Sequence, residues 1–154
     1  MAVNPESRSA YVERFARVLE ATGGSRIAGR IFAHLATAPE SYLSLQELAE
    51  QLQVSRASVS TNTRALIQLG LVTRVPVPGS RGEHYALLPD GARASMQLAA
   101  ASAREIAGLA EEGLRLSPRE VTPGRVALRS MSESYTELAK TFDALAARPK
   151  RRAQ

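Results

Sequence analysis

The sequence contains no cysteine and no tryptophan, and aromatic residues make up only 5% of its 154 residues. The lack of cysteine excludes disulfide bonds, cysteine-ligated zinc and thiol catalysis. A chain with so few flat rings is a weak candidate for binding single-stranded nucleic acid, because such proteins stack bases on aromatic side chains. The length is nevertheless sufficient to bury a core without a disulfide or metal.

Long apolar runs are also missing. No uninterrupted run approaches the roughly 18 residues that a membrane-spanning helix requires. The first nine residues lack the charged and then apolar order of a signal peptide. We therefore expect a cytoplasmic protein with no membrane partner.

The net charge of +5 is concentrated at the C-terminus, where Arg148, Lys150, Arg151 and Arg152 supply four of the charges. The rest of the chain is nearly neutral, so charge alone does not indicate nucleic-acid binding. Residues 148–154 are predicted to form a basic disordered tail. This tail is either an electrostatic arm or a solvated end.

Two helices are predicted before residue 40. The first covers residues 8–21 and ends at the Gly23-Gly24 pair, because glycine adopts the left-handed conformation at low cost. Its predicted inward face, at spacings of four and three, is Tyr11, Phe15, Val18 and Thr22. Ser25 can cap the second helix. Gly29 inside that helix costs about 1 kcal/mol relative to alanine, which predicts a close contact with another helix.

The clearest helix start lies at Ser44, because Ser44 and Glu47 have the spacing of a capping box. A helix over Leu45–Leu52 follows, then a short turn at Gln53-Val54. Ser55 can cap a further helix that runs to about Leu69. Its predicted inward face is Val59, Thr63, Leu66 and Leu69.

A β-hairpin is predicted after this helix. Residues 71–77 are rich in β-branched side chains, and Pro76 favours an edge position for this strand. The turn sequence P-G-S-R-G follows at residues 78–82, and residues 83–88 are predicted to form the returning strand.

The last third of the chain is predicted to be helical. Two apolar stripes with spacings of three and four are separated by a segment rich in proline and glycine. They predict two long helices that each need a partner face. The stripes are Met96, Ala99, Ala103, Ile106 and Ala110, and then Leu128, Met131, Tyr135, Leu138, Phe142 and Leu145.

These elements predict a mainly α-helical fold with a small β-hairpin wing, a winged helix-turn-helix with flanking dimerisation helices. In helix-turn-helix proteins the second helix enters the major groove of double-stranded DNA, and arginine, serine and threonine are suited to base edges and phosphates. The wing arginine can enter the adjacent minor groove. The predicted DNA-binding residues are Ser55, Arg56, Ala57, Ser58, Ser60, Thr61, Arg64, Arg74 and Arg81, with His84 as a weaker phosphate contact.

The segment L-S-L-Q-E-L-A-E-Q-L-Q-V-S-R-A-S-V-S-T-N-T-R-A-L-I-Q-L-G, followed by L-V-T-R-V-P-V-P-G-S-R-G-E-H-Y, resembles the winged helix of MarR-type regulators. The upstream R-I-A-G-R-I is similar to the GbsR-like branch, which responds to choline and glycine betaine. The resemblance implies a homodimer that binds a palindromic operator, usually represses transcription, and releases DNA when a small effector binds. One departure is Gln53, at a turn position where such motifs commonly have glycine; a positive φ is uncommon for other residues but feasible.

The resemblance divides the chain into four segments. We expect a dimerisation helix over residues 1–24, the DNA-binding winged helix-turn-helix over residues 25–90, dimerisation helices over residues 91–147, and the basic tail over residues 148–154.

Two alternatives remain open from the sequence. A winged helix can also serve as a protein-interaction module without specific DNA binding. The larger rings could form a cage for a quaternary ammonium effector, although the same rings are the obvious packing groups of the helices. These rings are Tyr11, Phe15, Phe32, Tyr135 and Phe142.

The sequence does not predict an enzyme or a cofactor. His34 and His84 lack a matching cluster of metal ligands. Glu111 and Glu112 are adjacent in a predicted helix, so their side chains diverge and do not form an acid-base pair. There is no glycine-rich phosphate loop and no nucleophile elbow.

Overall fold

A computed structural model describes residues 5–117 and 119–147. These residues form six helices and three short strands. In chain order the elements are α1 (Pro5–Ala21), α2 (Arg26–Thr37), β1 (Leu43–Ser44), α3 (Leu45–Leu52), α4 (Arg56–Gln68), β2 (Val72–Val75), β3 (His84–Leu87), α5 (Gly91–Leu116) and α6 (Pro123–Ala146). The predicted fold class, mainly helical with a small wing, is confirmed. The chain divides into two compact units, with the boundary between Gly91 and Ala92.

The wing contains one strand more than the sequence predicted. The antiparallel sheet has the order β1-β3-β2, and Leu43 pairs with Tyr85 at the added strand. A strand of two residues is too short to produce a periodic pattern, so it escaped prediction. The predicted edge position of β2 is correct, and the strand ends at Val75, before Pro76.

The first unit has a core of large apolar side chains contributed by its helices and its sheet. Its fully buried residues include Ile31, Leu43, Leu48, Val59, Leu66, Val72 and Tyr85. Gly29 permits a close approach of α1 and α2, because a Cβ atom at this position would lie 2.8 Å from Ala16 Cα. The helix contact predicted from this glycine is therefore present.

The buried face of α1 differs from the predicted one. Val12 and Ala16 are buried, whereas Val18 is 67% exposed and Thr22 lies beyond the end of the helix. The spacing of apolar residues in α1 fits more than one possible buried face. Packing against α2 selects the face that includes Val12. Leu69 was also wrongly placed inside, since it is the C-cap of α4 and is 48% exposed.

A half-buried polar cluster joins α1, α2 and α3 around His34. Arg8 Nη2 donates to the His34 carbonyl oxygen at 3.2 Å, and Arg8 Nε donates to Thr37 Oγ1 at 3.1 Å. The His34 ring nitrogen Nε2 lies 2.6 Å from Gln51 Oε1. Burial lowers the pKa of His34, and the nearby Arg8 charge acts in the same direction.

In the second unit, α5 and α6 pack as an antiparallel pair. Arg104 Nη1 lies 2.6 Å from Asp143 Oδ2, and at the other end Arg125 Nη1 donates to the Leu114 carbonyl at 2.8 Å. The buried side chains of this unit are small, namely Ala100, Ala103, Ala107, Ala110, Ser132, Ala139 and Ala146. Met131 and Leu138, which were predicted to be in the α6 stripe, are 42% and 41% exposed.

Among the described residues, no helix is both long enough and apolar enough to span a membrane. The predicted basic tail, residues 148–154, lies outside the described residues.

Candidate nucleic-acid interface

The turn between α3 and α4 is built from two helix caps and one left-handed residue. Ser44 Oγ accepts from the Glu47 amide at 3.1 Å, and Glu47 Oε2 accepts from the Ser44 amide at 2.7 Å, which completes the predicted capping box. Both bonds hold the pKa of Glu47 below its ordinary value, and the bond with the Ser44 side chain has the larger effect. Gln53 takes the left-handed conformation, with φ 53° and ψ 46°. The turn therefore forms without the glycine common at this position.

The start of α4 is defined by Ser55. Its hydroxyl accepts from the Ser58 amide at 3.1 Å and donates to Ser58 Oγ at 2.9 Å. The amides of Arg56 and Ala57 have no acceptor within the helix, because the first turn of a helix leaves its N–H groups unpaired internally. Such an N-terminus favours a negatively charged group such as phosphate.

The two sides of α4 differ sharply in burial. Val59, Thr63 and Leu66 are buried on the side that faces the core. The predicted DNA-contacting residues of this helix all lie outside that buried set. Arg56, Ala57, Thr61 and Arg64 are exposed, while Ser58 and Ser60 are half-buried. The helix contains no acidic residue, so no carboxylate on α4 opposes an approaching phosphate.

The side chain of Arg64 is held by the helix itself. Its Nε donates to the Ser60 carbonyl oxygen at 3.3 Å, and its Nη2 donates to Ser60 Oγ at 3.2 Å. This leaves further N–H groups of the guanidinium for an external acceptor. Because the arm is already ordered, less rotamer entropy is lost when it binds.

Arg74 has an internal partner that the sequence analysis missed. Its Nη2 lies 3.1 Å from Glu83 Oε1 across the wing. The other carboxylate oxygen of Glu83 accepts from the Tyr85 hydroxyl at 2.8 Å, and burial raises the pKa of Tyr85. The pairing of β2 with β3, which places Arg74 opposite Tyr85, was the available signal for this contact. A phosphate would compete with Glu83 for Arg74.

Arg81 lies in the exposed loop between β2 and β3. Gly79 has φ 80°, and Ser80 Oγ accepts from the Gly82 amide at 3.2 Å, so the loop is a tight turn around Arg81. Arg81 and Arg56 line the same open polar cleft of about 630 Å³. The structure thus brings together one arginine of the wing and one of α4.

The remaining walls of this cleft come from the start of α3 and from the wing. They are Ser44, Leu45, Gln46, Glu47, Glu50, Ser80, Gly82, Glu83 and His84. Gln46 and Ser80, which adjoin the capping box and the wing arginine, were not among the residues predicted from the sequence. The carboxylates of Glu47, Glu50 and Glu83 repel anions. An anion can therefore approach the cleft only on the side of Arg56 and Arg81.

His84, the weaker of the predicted phosphate contacts, is largely buried at the wall of this cleft. It is only 9% exposed, its Nδ1 lies 3.0 Å from the Gly82 carbonyl oxygen, and its ring contacts Tyr42 edge-on. These contacts hold the ring within the hairpin, and a phosphate contact of His84 stays a prediction.

The five rings considered for an effector cage lie in both units. Tyr11, Phe15 and Phe32 pack against the core of the first unit, and the rings of Phe15 and Phe32 are stacked with centroids 5.2 Å apart. Direct stacking leaves no room for a cation between these two rings. Packing of the core therefore explains the positions of Phe15 and Phe32. Tyr135 and Phe142 lie on α6 in the second unit.

Within the described residues there is no group of three or more histidine, cysteine, aspartate or glutamate side chains arranged to hold a metal ion.

Comparison with known proteins places this geometry in a family. Residues 22–81 match the sequence model of the MarR family. This segment is a MarR-family winged helix-turn-helix. The match covers α2, the helix-turn-helix and the wing as far as Arg81.

Two further proteins resemble most of the chain. The HTH-type transcriptional regulator MmpR5 of Mycobacterium tuberculosis is 33% identical over 105 residues, which are 68% of this chain. The chain spans 64% of the length of that relative. A crystal structure described as a transcriptional regulator is 28% identical, with a TM-score of 0.79 over 91% of this chain and 95% of the other.

A weaker likeness is to a C80S mutant of MarR from E. coli complexed with operator DNA, which is 17% identical with a TM-score of 0.43. It covers 84% of this chain and 88% of the other. The MarR-family segment and the two regulators named above agree with the prediction that the chain is not an enzyme.

Proposed function

We propose that the chain is a transcriptional regulator that binds double-stranded DNA in a sequence-specific manner. The observation that carries this proposal is the outer face of α4, where Arg56, Thr61 and Arg64 are exposed opposite a fully buried apolar face. Arginine can bind the O6 and N7 atoms of guanine, and threonine can bond to several bases. The MarR-family segment and the relative described as a transcriptional regulator support the same function.

The wing supplies the second contact in this proposal. Arg81 lies at the exposed turn and shares a cleft with Arg56. A DNA strand whose phosphates lie between α4 and the wing would pass the guanidinium groups of both Arg56 and Arg81. Ser55 and Ser58 set the helix start whose amides face the phosphate, and Arg74 contributes only when it leaves Glu83. Ala57 and Ser60 complete the base-facing surface.

A second copy of the chain is part of the proposal. α5 and α6 bury alanine and serine but leave large apolar side chains in water, among them Leu109 at 60% and Leu116 at 80% exposure. Exposed apolar side chains in such number mark an interaction surface. In a two-fold dimer, two α4 helices would read successive major grooves of a palindromic operator.

Selection of bound duplexes from a random double-stranded pool tests the DNA proposal directly. We expect a palindromic site, and Arg64→Ala should relax selection at one or two positions in each half-site. A loss of about fivefold to a hundredfold in affinity for the selected site is expected, since a good base contact contributes roughly 1–3 kcal/mol. Arg17→Ala removes an exposed arginine from α1 and serves as the charge-matched control.

The salt dependence of binding separates the role of the wing. Arg81→Ala should lower the slope of log K against log salt by about one if Arg81 contacts a phosphate. If no sequence is enriched from the pool, the proposal fails and the winged helix is better explained as a protein-interaction module.

Sedimentation velocity tests the dimer. Leu109→Lys should shift the chain towards the monomer, because a charge would be buried in the apolar contact. Gln97→Lys places the same charge on an exposed position of α5 that lies about 120° around the helix from Leu109, and it should leave the dimer intact. Equal sedimentation of the two variants and the unaltered chain as monomers would contradict the dimer.

Repression, release by a small effector and membership of the GbsR-like branch follow only from the resemblance of the sequence. Calorimetric titration with choline and glycine betaine tests the aromatic cage. We expect no heat of binding in these titrations, because Phe15 and Phe32 already stack on each other as packing groups.

A further inference from the structure

Asn62 lies on α4 among the proposed reading residues, but its side chain turns towards α2. Its Oδ1 accepts from the Ser25 hydroxyl at 2.5 Å, and its Nδ2 donates to the Ser58 carbonyl oxygen at 2.8 Å. Ser25 is also the N-cap of α2, since its Oγ accepts from the Ala28 amide at 3.3 Å. One amide side chain thus connects the start of α2 with the first turns of α4.

The Ser25–Asn62 hydrogen bond adds a directional constraint that the apolar contact between α2 and α4 lacks. α2 and α4 pack through the core that includes Ile31, Val59 and Leu66. Apolar contact is non-directional, so it resists separation of the helices more than rotation of one of them. A hydrogen bond depends on angle as well as distance, and the Ser25–Asn62 bond therefore opposes rotation of α4 about its axis.

A small rotation matters for reading bases. At the outer surface of a helix, about 5 Å from its axis, a rotation of about 10° moves a side chain by roughly 1 Å. A recognition group has to be held to within about 0.5 Å and 10–20°. Thr61 and Arg64 lie on the opposite side of α4 from the buried Val59. The rotation that the Ser25–Asn62 bond opposes would displace these two residues.

The other end of the connection lies next to a joint in the chain. Ser25 directly follows Gly24 and Gly23, of which Gly23 has φ 88°, and these glycines separate α1 from α2. We propose that Asn62 is a positioning residue that acts through Ser25 and holds the rotation of α4 at which Thr61 and Arg64 reach base edges. This inference rests on the proposed DNA-binding function.

The test measures the affinity for the selected operator and for an unrelated duplex of the same length. Asn62→Ala should weaken operator binding by about fivefold to tenfold, the loss expected for one or two hydrogen bonds, and leave the affinity for the unrelated duplex unchanged. A role confined to stability would instead lower the melting temperature and weaken binding to both duplexes alike.

A double-mutant cycle tests whether Asn62 acts through Ser25. Ser25→Gly removes the hydroxyl but retains a residue that is tolerated as an N-cap. The double variant Ser25→Gly/Asn62→Ala should bind the operator no more weakly than Asn62→Ala alone. Ser25→Thr keeps the hydroxyl and should restore the affinity of the unaltered chain. If Asn62→Ala does not fold, the comparison of Ser25→Gly with Ser25→Thr makes the same test.

Thr22→Ala is the matched control, because it removes a hydroxyl bonded to the Leu19 carbonyl at the same joint but leaves the Ser25–Asn62 contact intact. It should bind the operator as the unaltered chain does. Unchanged discrimination in Asn62→Ala, or additive losses in the double variant, would overturn the inference. Absence of any selected operator for the unaltered chain would instead overturn the proposed function.

Discussion

Tyr85, Ile31 and Leu43 are almost completely buried in the first unit, whereas the buried residues described in the α5–α6 unit are alanines and Ser132. The first unit therefore encloses its own large apolar side chains between helices and a sheet. The second unit is a pair of helices that buries only small side chains, and several of its large apolar side chains, such as Leu109 and Leu116, are exposed.

This difference indicates where each unit obtains its stability. Burial of a large aliphatic or aromatic side chain contributes about 1.5–3 kcal/mol, so a core built from such residues can support a fold on its own. Alanine contributes much less, and exposed side chains such as Leu116 and Val126 contribute only when a partner covers them. Under the proposed function, the first unit would bind DNA and the second would form the dimer.

The largest expected effect comes from the same truncation made in both units. Leu48 is fully buried in the first unit and Leu109 is 60% exposed in the second. Leu48→Ala should lower the free energy of unfolding by about 2–5 kcal/mol in urea denaturation, because it leaves a cavity. Leu109→Ala should cost less than about 0.5 kcal/mol at concentrations where the chain is a monomer. Equal costs would remove the contrast between the units.

The next largest effect is expected from replacing Gly29 and Gly108 with alanine, which should change stability in opposite directions. Gly29→Ala should destabilise the first unit by about 1–3 kcal/mol, because the new methyl group meets the α1 backbone at 2.8 Å from Ala16 Cα. A Cβ at Gly108 meets no atom within 4 Å. Gly108→Ala should therefore stabilise α5 by about 0.5–1 kcal/mol. Thermal denaturation of both variants checks the signs, and stabilisation by Gly29→Ala would show that α1 and α2 are not in close contact.

Loss of a helix cap can be compared between the units in the same way. Ser44 caps α3, and Thr122 caps α6 by accepting from the Arg125 amide at 3.2 Å. Replacement of either residue by alanine should cost about 0.5–2 kcal/mol. In scanning calorimetry each variant should lower the transition of its own unit. A single transition that both variants shift equally would mean that the two units unfold together.

The smallest expected effect is a dependence on pH confined to the first unit. The pKa of buried His34 lies below its ordinary value of 6.5, so the unfolded chain takes up this proton more readily than the folded one. Stability should be complete above about pH 6.5 and should decrease as the pH falls from there towards the lowered pKa. Denaturation between about pH 7 and pH 5.5 checks the sign.

Two comparisons complete the pH experiment. His34→Gln should flatten the profile of the first unit. The α5–α6 unit has no histidine and should show no change over this range. A profile that rises towards acid would contradict the burial of a neutral His34.

Local signals predicted much of the fold. The capping box at Ser44, the cap at Ser55 and the break at Gly23 depend on residues a few positions apart, and each is present in the structure. The exposed face of α4 was also predictable, because it follows from the period of its buried residues. Choices between adjacent stripes were less secure, as Val18 shows.

The predicted DNA-contacting residues follow from local patterns, but their partners within the protein do not. Glu83 beside Arg74, and Ser25 beside Asn62, are joined by strand register and helix packing across 9 and 37 positions of sequence. No periodic pattern encodes such pairs, so the analysis of the sequence missed both.

Sequence patterns alone were sufficient for the order of the helices and the two hairpin strands, for the helix caps and for the residues on the outside of α4, because caps and periodicity act within one or two turns. Three features depend on tertiary packing: which stripe of α1 is buried, the pairing of β1 with the wing, and the exposure of Met131 and Leu138 on α6. Those outcomes depend on which surfaces meet, and a surface at long sequence separation is specified by packing rather than by its neighbours along the chain.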